Sequence, residues 1–157
     1  MCLPFFLPDA MLRPATFPLI LLAALSFTAC NPEIEDDRPG QPVKHRREAF
    51  KALLRATEPF GRMLDEGQYS TQRLAALKGA LVQVREEPWN YYGPDTNYPP
   101  SKSRPEVWSQ PEKFEAERQR FFTATDALLA ADSEAAVRAA YDETRATCKS
   151  CHDAFRR

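Results

Sequence analysis

Proline is the residue whose distribution most restricts the fold of this chain. All but one of its 14 prolines lie in residues 1–42 or 88–111, and the exception is Pro59. A proline inside a helix removes a backbone donor and clashes with the preceding turn, so these two stretches disfavour helices. The remainder is free to be helical. With 157 residues, 43% of them apolar, the chain is sized for one globular domain with an ordinary core.

The charge pattern excludes one class of partner. The formal net charge is −1, and the lysines and arginines are scattered along the chain. They form no basic stripe of the kind that tracks a phosphate backbone. We therefore expect no nucleic-acid partner.

Two amphipathic helices are predicted in the first half of the domain. The first begins at Val43 and repeats apolar residues at helical spacing, among them Phe50, Leu53 and Leu54. Pro59 is expected to kink or break this helix, with one further turn before Gly67. The second helix is predicted over residues 71–86.

Two more helices are predicted in the second half. Ser109, a proline at the first helical position and Glu112 together form a capping-box pattern that starts the third helix, which extends to about residue 131. Asp132 or Ser133 caps the fourth, which runs through Phe155. Five prolines and several aromatic residues in 88–109 indicate an ordered loop packed on the helices. The predicted fold is all-α, an antiparallel up-and-down four-helix bundle.

The first 41 residues are predicted to be a targeting segment and a tether. Residues 17–29 are almost wholly apolar, which suits a signal peptide and is short for a membrane span. Met11 is the expected translation start. The run ends in Phe27-Thr28-Ala29-Cys30, which resembles a bacterial lipoprotein signal; ordinary cleavage near Ala29 is the alternative. Hence 1–29 is interpreted as the signal peptide, 30–41 as a solvated acidic tether and 42–157 as the domain.

Cys148-Lys149-Ser150-Cys151-His152 is the most informative motif. Cys-x-x-Cys-His is the attachment signal of c-type haem, because two thiols three residues apart reach the vinyl groups and the histidine ligates the iron. The motif predicts one covalent haem near the C-terminal helix. A zinc site lacks further ligands, since only His45 and Cys30 remain in the mature chain. A redox thiol pair or a structural disulfide stays possible, although a helix C-terminus disfavours a thiolate.

From Val43 to the end, the chain resembles the cytochrome c' family of class II c-type cytochromes. The resemblance rests on the terminal segment from Cys148 to Arg156 and on five further matches: Val43-Lys44-His45-Arg46, Phe60-Gly61-Arg62-Met63, Pro88-Trp89, Gly93-Pro94 and Arg104-Pro105-Glu106-Val107-Trp108-Ser109. Members of this family fold as up-and-down four-helix bundles. The resemblance thus implies the same fold as the helical pattern.

The resemblance also implies roles for individual residues. Arg46 matches an arginine near a haem propionate, and Trp89 and Arg156 match residues beside the haem. Phe50 stands where low-spin members have a methionine ligand, so the resemblance implies a five-coordinate iron. Arg47 departs from the glutamine of many relatives. Met63 and His45 are the remaining candidates for a sixth ligand.

The sequence leaves two functions open for such a site. Either the protein binds nitric oxide or carbon monoxide, or it carries single electrons to redox partner proteins of the cell envelope. The proposed location is the periplasm, with a possible lipid anchor on Cys30, and the resemblance suggests a homodimer. No general base, nucleophile or substrate pocket is evident, so no enzymatic turnover is predicted. The alternative function is that of an envelope thiol-disulfide oxidoreductase using Cys148 and Cys151.

Overall fold

A computed structural model of the protein describes residues 35–157. By its contacts the chain divides into Met1–Pro32 and Glu33–Arg157, and all described residues belong to the second unit. The predicted signal peptide, the candidate start at Met11 and the candidate lipidation site Cys30 lie outside the described residues.

Four long helices dominate the described part of the chain: α1 (Pro42–Asp65), α2 (Thr71–Val84), α4 (Pro111–Ala130) and α5 (Glu134–Phe155). A short 3-10 helix (Glu87–Tyr91) and the single turn α3 (Glu106–Ser109) lie in the connection between α2 and α4. Residues 35–157 contain no strand, only an isolated antiparallel bridge between Ser103 and Arg156. None of their helices is both long and apolar enough to cross a membrane.

The helices pack in the order that short turns impose. Helix α1 packs on α2, α4 packs on α5, and α1 also contacts α5 and the 3-10 helix. Apolar residues from all four long helices meet in one core cluster, which consists of Leu53, Phe60, Met63, Leu64, Leu74, Leu81, Phe121, Leu128, Ala131 and Val137. The predicted all-α bundle is confirmed, and so is the cap of α5, because the Ser133 side chain accepts a hydrogen bond from the Ala136 N–H.

Two local predictions were wrong, and one of the two outcomes expected at Pro59 did not occur. Helix α1 is not broken at Pro59 but continues to Asp65. The carbonyl of Arg55 loses its partner there, and Arg55 is exposed, while the fully buried Phe60 holds the next turn in the core. Leu54 is 55% exposed and does not face the core. Ser109 ends α3 instead of capping α4, whose N-cap, Gln110, makes no side-chain cap bond.

The folded domain also begins earlier than expected. Asp36, which was placed in the solvated tether, is only 4% exposed. Its carboxylate accepts hydrogen bonds from the backbone N–H groups of Val43 (2.9 Å) and Lys44 (3.2 Å) and from the Tyr98 hydroxyl (2.9 Å). The segment before α1 is therefore hydrogen-bonded through Asp36 both to the start of α1 and to the long connection between α2 and α4.

Candidate haem site

The last two turns of α5 carry the cysteines and the histidine of the motif. Cys148 and Cys151 are half-buried with free thiols, and His152 is exposed. Residues three and four apart share a helix face, so the two sulfur atoms and the imidazole lie on one side of α5. The helix ends at the next turn, where the Arg156 N–H donates to the His152 carbonyl at 3.0 Å.

The surroundings of the two thiols do not favour a reactive thiolate. Burial raises the pKa of Cys148. Burial, the Glu117 carboxylate and Cys148 together raise the pKa of Cys151 to about 11. A redox-active pair needs a lowered pKa, so the structure argues against the thiol-disulfide alternative. Among residues 35–157, no group of three or more histidines, cysteines or acids could hold a metal ion.

The pKa of the His152 imidazole is shifted in the opposite direction, below its ordinary value. Partial desolvation and the positive charge of Arg156 lower its pKa, although the Asp153 carboxylate works against both. The neutral ring is the form that ligates a metal. The electrostatics of this end of α5 therefore favour the ligand form.

A cluster of aromatic rings extends from α1 to α5 on the side of the molecule that carries the cysteines. The Phe50 ring lies edge-on to Trp89, with centroids 5.6 Å apart, and to Tyr92 at 6.4 Å. Tyr92 packs on Phe114 at 4.8 Å, and Phe114 meets Phe155 at 5.3 Å. The cluster thus connects the predicted distal residue with the last turn of α5.

Tyr92 links this cluster to the motif electrostatically. Burial raises the pKa of its phenol; Arg46 and Arg156 oppose that shift, whereas Cys151 adds to it. Such effects require short distances, so Phe50, Cys151 and Arg156 border one region of the molecule. A thiol pair, a neutral imidazole and half-buried aromatic rings fit a flat apolar group attached through two thioether bonds.

Arg46 is buried, and its side chain fastens α1 to the long connection. It is only 4% exposed. Its guanidinium donates to the carbonyls of Tyr91 (2.8 Å) and Thr96 (3.2 Å) and to the hydroxyls of Thr96 (3.3 Å) and Ser101 (2.8 Å). The same group lies 4.6 Å from the Tyr92 ring centroid. Four of its five N–H donors are thus engaged within the chain, and the Nε–H is left for any further partner.

The other predicted residues are distributed as follows. Trp89 donates its indole N–H to the Arg85 carbonyl at 3.0 Å and packs on Phe50. Met63 is fully buried in the core cluster. His45 is exposed and stacked on Tyr91, with centroids 5.6 Å apart. Neither Met63 nor His45 belongs to the aromatic cluster around Phe50.

Sequence reasoning missed two residues near the motif. Tyr92 was noted only as one of several loop aromatics, and its proximity to Cys151 could not be read from spacing. Glu117 gave no signal at all. Its Oε1 pairs with Arg120 at 3.0 Å, while its Oε2 is buried without a hydrogen-bond partner.

The bundle and the Cys-x-x-Cys-His segment together define a helical c-type cytochrome. Comparison with known proteins makes the class specific: the family model described as Cytochrome C' matches residues 41–156. The chain belongs to this family. Members carry one covalently bound c-type haem, and so does this chain, which makes it a haem protein of the electron-transfer and gas-binding class.

Individual relatives agree with this assignment. Cytochrome c' from Alcaligenes xylosoxydans xylosoxydans is 32% identical over 128 residues, which cover 76% of this chain and 96% of that protein. The structure of cytochrome c' from Rubrivivax gelatinosus superposes with a TM-score of 0.72 at 26% identity, covering 78% of this chain and all of that one. The nitric oxide complex of a leucine-to-isoleucine variant from Alcaligenes xylosoxidans gives a TM-score of 0.68 at 32% identity, with coverages of 78% and 99%.

Proposed function

We propose that Cys148 and Cys151 hold the haem through thioether bonds and that His152 ligates its iron. The observation that carries this proposal is the common face of α5 on which two desolvated thiols and an imidazole of lowered pKa lie together. When bound, the haem supplies an iron that can exchange one electron or accept a diatomic gas. The role of the chain is to orient the group and to control what reaches it.

We further propose that the iron is five-coordinate. Phe50 has no donor atom, and Trp89 and Tyr92 pack against its ring. Met63 serves the hydrophobic core, and His45 is stacked on Tyr91. An apolar wall offers no hydrogen bond to a polarised ligand but accepts neutral diatomic gases. Nitric oxide and carbon monoxide are the proposed ligands, and the nitric oxide complex of the Alcaligenes relative supports this choice.

Three residues are assigned supporting roles. Trp89 packs against Phe50, and Arg156 adds its positive charge to the partial desolvation that lowers the pKa of the His152 imidazole. Arg46 has one N–H left for a haem propionate after its four bonds to the connection. Single-electron exchange with envelope redox proteins is the second proposed activity. It is favoured because the motif lies at an exposed end of α5. Both activities make the protein a carrier, so no turnover is proposed.

The proposed location is the periplasm. Residues 1–29 would direct export, Cys30 would carry the lipid, and the acidic residues after it would form the tether. A homodimer through α1 and α2 is proposed because Leu54 and Val82, on these two helices, are 55% and 50% exposed.

The test is the visible spectrum of the ferric and ferrous protein with and without nitric oxide and carbon monoxide. The wild type should be high-spin and bind both gases. Phe50→Met keeps similar volume and adds a thioether, so the ferrous form should become low-spin and bind carbon monoxide more slowly. Phe50→Leu, which adds no donor, is the matched control and should stay high-spin.

A low-spin wild type with slow gas binding would contradict the five-coordinate proposal. Replacing both Cys148 and Cys151 by alanine tests the attachment separately, because acidified solvent should then extract all the haem. Haem that remained bound to the double variant would refute the assignment of the cysteines.

A further inference from the structure

A carboxylate of α4 lies beside the Cys-x-x-Cys-His segment of α5. Only 18% of the Glu117 side chain is exposed, and its Oε1 accepts a hydrogen bond from the Arg120 guanidinium at 3.0 Å. Arg120 also donates to the Ser150 hydroxyl at 3.3 Å, and Ser150 is one of the two residues between the cysteines. The pair of Glu117 and Arg120 is therefore joined to the candidate attachment segment.

The second oxygen of this carboxylate has no partner. Glu117 Oε2 is buried and receives no hydrogen bond within the described part of the chain. Arg120 contacts only the other oxygen and is itself half exposed, so it neutralises the carboxylate only in part. A buried charge is screened less than one surrounded by water. The field of Glu117 therefore extends into the protein around it.

The Cys151 thiol lies within this field. Burial is the largest cause that raises the pKa of the thiol to about 11, and the Glu117 carboxylate is the next. The carboxylate of α4 and the sulfur of α5 are thus close enough to interact, and the hydrogen bond between Arg120 and Ser150 holds the two helices together at this level. A haem joined to Cys151 would lie in the field of the same carboxylate.

We propose that Glu117 lowers the reduction potential of the haem. This inference rests on the proposed attachment at Cys151 and adds a determinant of the proposed electron-transfer activity. Ferric iron carries one more positive charge than ferrous iron, so a nearby negative charge stabilises the ferric form more. A lower potential restricts the electron donors of the protein to reductants of still lower potential.

The competing account is that Glu117 only supports α4 through its pair with Arg120. Partly exposed ion pairs three residues apart contribute little to stability. Glu115 and Arg118 form a comparable pair on the same helix at 2.7 Å. The two acids differ in that Glu117 acts on Cys151, whereas 47% of the Glu115 side chain is exposed. Glu115 therefore supplies the matched control.

The experiment measures the midpoint potential of the full-length haem-loaded protein by spectroelectrochemistry. In the titrated step one electron passes from the electrode, through a mediator dye, to ferric iron, and no bond forms or breaks. Glu117→Gln keeps the shape of the side chain and removes its charge. The equilibrium constant for reduction should rise by about 3-fold to 10-fold, and tenfold corresponds to about 59 mV for one electron. Glu115→Gln should change it by less than about 2-fold.

Two further measurements separate a field effect from a structural one. Arg120→Gln removes the cation that partly neutralises Glu117, so the equilibrium constant for reduction should fall, opposite to the effect of Glu117→Gln. In proton NMR of the ferric protein, Glu117→Gln should move the paramagnetically shifted Cys151 β-protons more than those of Cys148. Urea unfolding of each variant establishes that the fold is kept.

The outcomes distinguish this inference from the proposed function. If Glu117→Gln leaves the potential unchanged while the haem stays covalently bound, the inference is refuted and the attachment stands. Equal shifts in Glu117→Gln and Glu115→Gln would also refute it, because they would reflect net charge alone. If acidified solvent extracts the haem from the wild type, the attachment at Cys151 fails and the inference fails with it.

Discussion

Replacing Asp36 should destabilise the domain through the start of α1. Pro42, the first helical residue, has no N–H, and the N-cap residue Gln41 has a left-handed backbone with φ of 41° and no side-chain cap bond. The Asp36 carboxylate takes over the capping role by accepting from the next two N–H groups, those of Val43 and Lys44. The His45 N–H bonds to the Gln41 carbonyl. Every donor of the first turn is thus satisfied, and two of them depend on Asp36.

The expected loss follows from these bonds. Removing an N-cap acceptor costs about 0.5–2 kcal/mol, and losing a hydroxyl bond to a charged group costs about 1.5–3 kcal/mol. Asp36 is covered but lies at the periphery of the domain, which favours the lower ends of both ranges. Asp36→Ala should therefore cost about 2–3 kcal/mol, or roughly 6–12 °C in melting temperature for a domain of this size. Asp36→Asn, which keeps one acceptor oxygen, should cost less.

Urea unfolding followed by circular dichroism measures this loss, and Asp37→Ala is the matched control because Asp37 is the exposed neighbour.

Burial alone would raise the pKa of Asp36, but the hydrogen bonds from Lys44, Tyr98, Arg38 and Val43 outweigh it and lower the pKa below its usual 3.8. The stability contribution is therefore present above pH 3.8 and lost as the pH falls through the folded pKa.

The difference between wild type and Asp36→Asn should shrink over that range. Equal stabilities of Asp36→Ala and Asp37→Ala near pH 7 would refute the capping role of Asp36.

Three further substitutions test other parts of the structure. Gly61→Ala should lower the free energy of unfolding in urea by about 1–3 kcal/mol, because its Cβ would lie 2.7 Å from the Tyr141 hydroxyl oxygen and 2.8 Å from a ring carbon. In a Tyr141→Ala background this loss should be smaller, and an equal loss there would contradict the clash. Arg46→Lys should lower the free energy of unfolding by about 2 kcal/mol, because an ammonium cannot reproduce four hydrogen bonds of fixed geometry. An unchanged urea midpoint would contradict this role of Arg46. Cys30→Ser should release the protein from membranes, and an unmodified wild-type cysteine would exclude the lipid.

The helices were predictable because their signals are local. Repeats of apolar residues and the serine at position 133 act within a few residues, and both the bundle and the cap of α5 followed from them. The errors came where tertiary packing overrides a local rule. Pro59 is tolerated because Phe60 and Met63 bury the surrounding turns, and no local pattern reveals that Leu54 faces away from the core.

The site was only partly predictable. Spacing alone puts Cys148, Cys151 and His152 on one helix face, and the aromatic content of 88–109 indicated an ordered loop. The contacts that organise this loop join residues far apart in sequence, such as Arg46 with Ser101 and Asp36 with Tyr98. A buried arginine bound to carbonyl and hydroxyl groups leaves no trace in periodicity or charge pattern. Nothing in the sequence distinguishes it from a solvated arginine.

The proline-rich stretch 88–109, which contains only a 3-10 helix and the single turn α3, also explains how the Cys-x-x-Cys-His motif can be held near a helix end. Terminal turns tend to fray, yet the role proposed for His152 as the iron ligand requires one orientation of its ring. Residues 102–104 oppose this fraying through two backbone hydrogen bonds. The Arg104 N–H donates to the Phe155 carbonyl, and the Arg157 N–H donates to the Lys102 carbonyl. A continuous helix in residues 88–109 would have its backbone groups paired internally and could not offer them to α5. The irregular connection thus stabilises the end of α5 because its prolines keep those groups free.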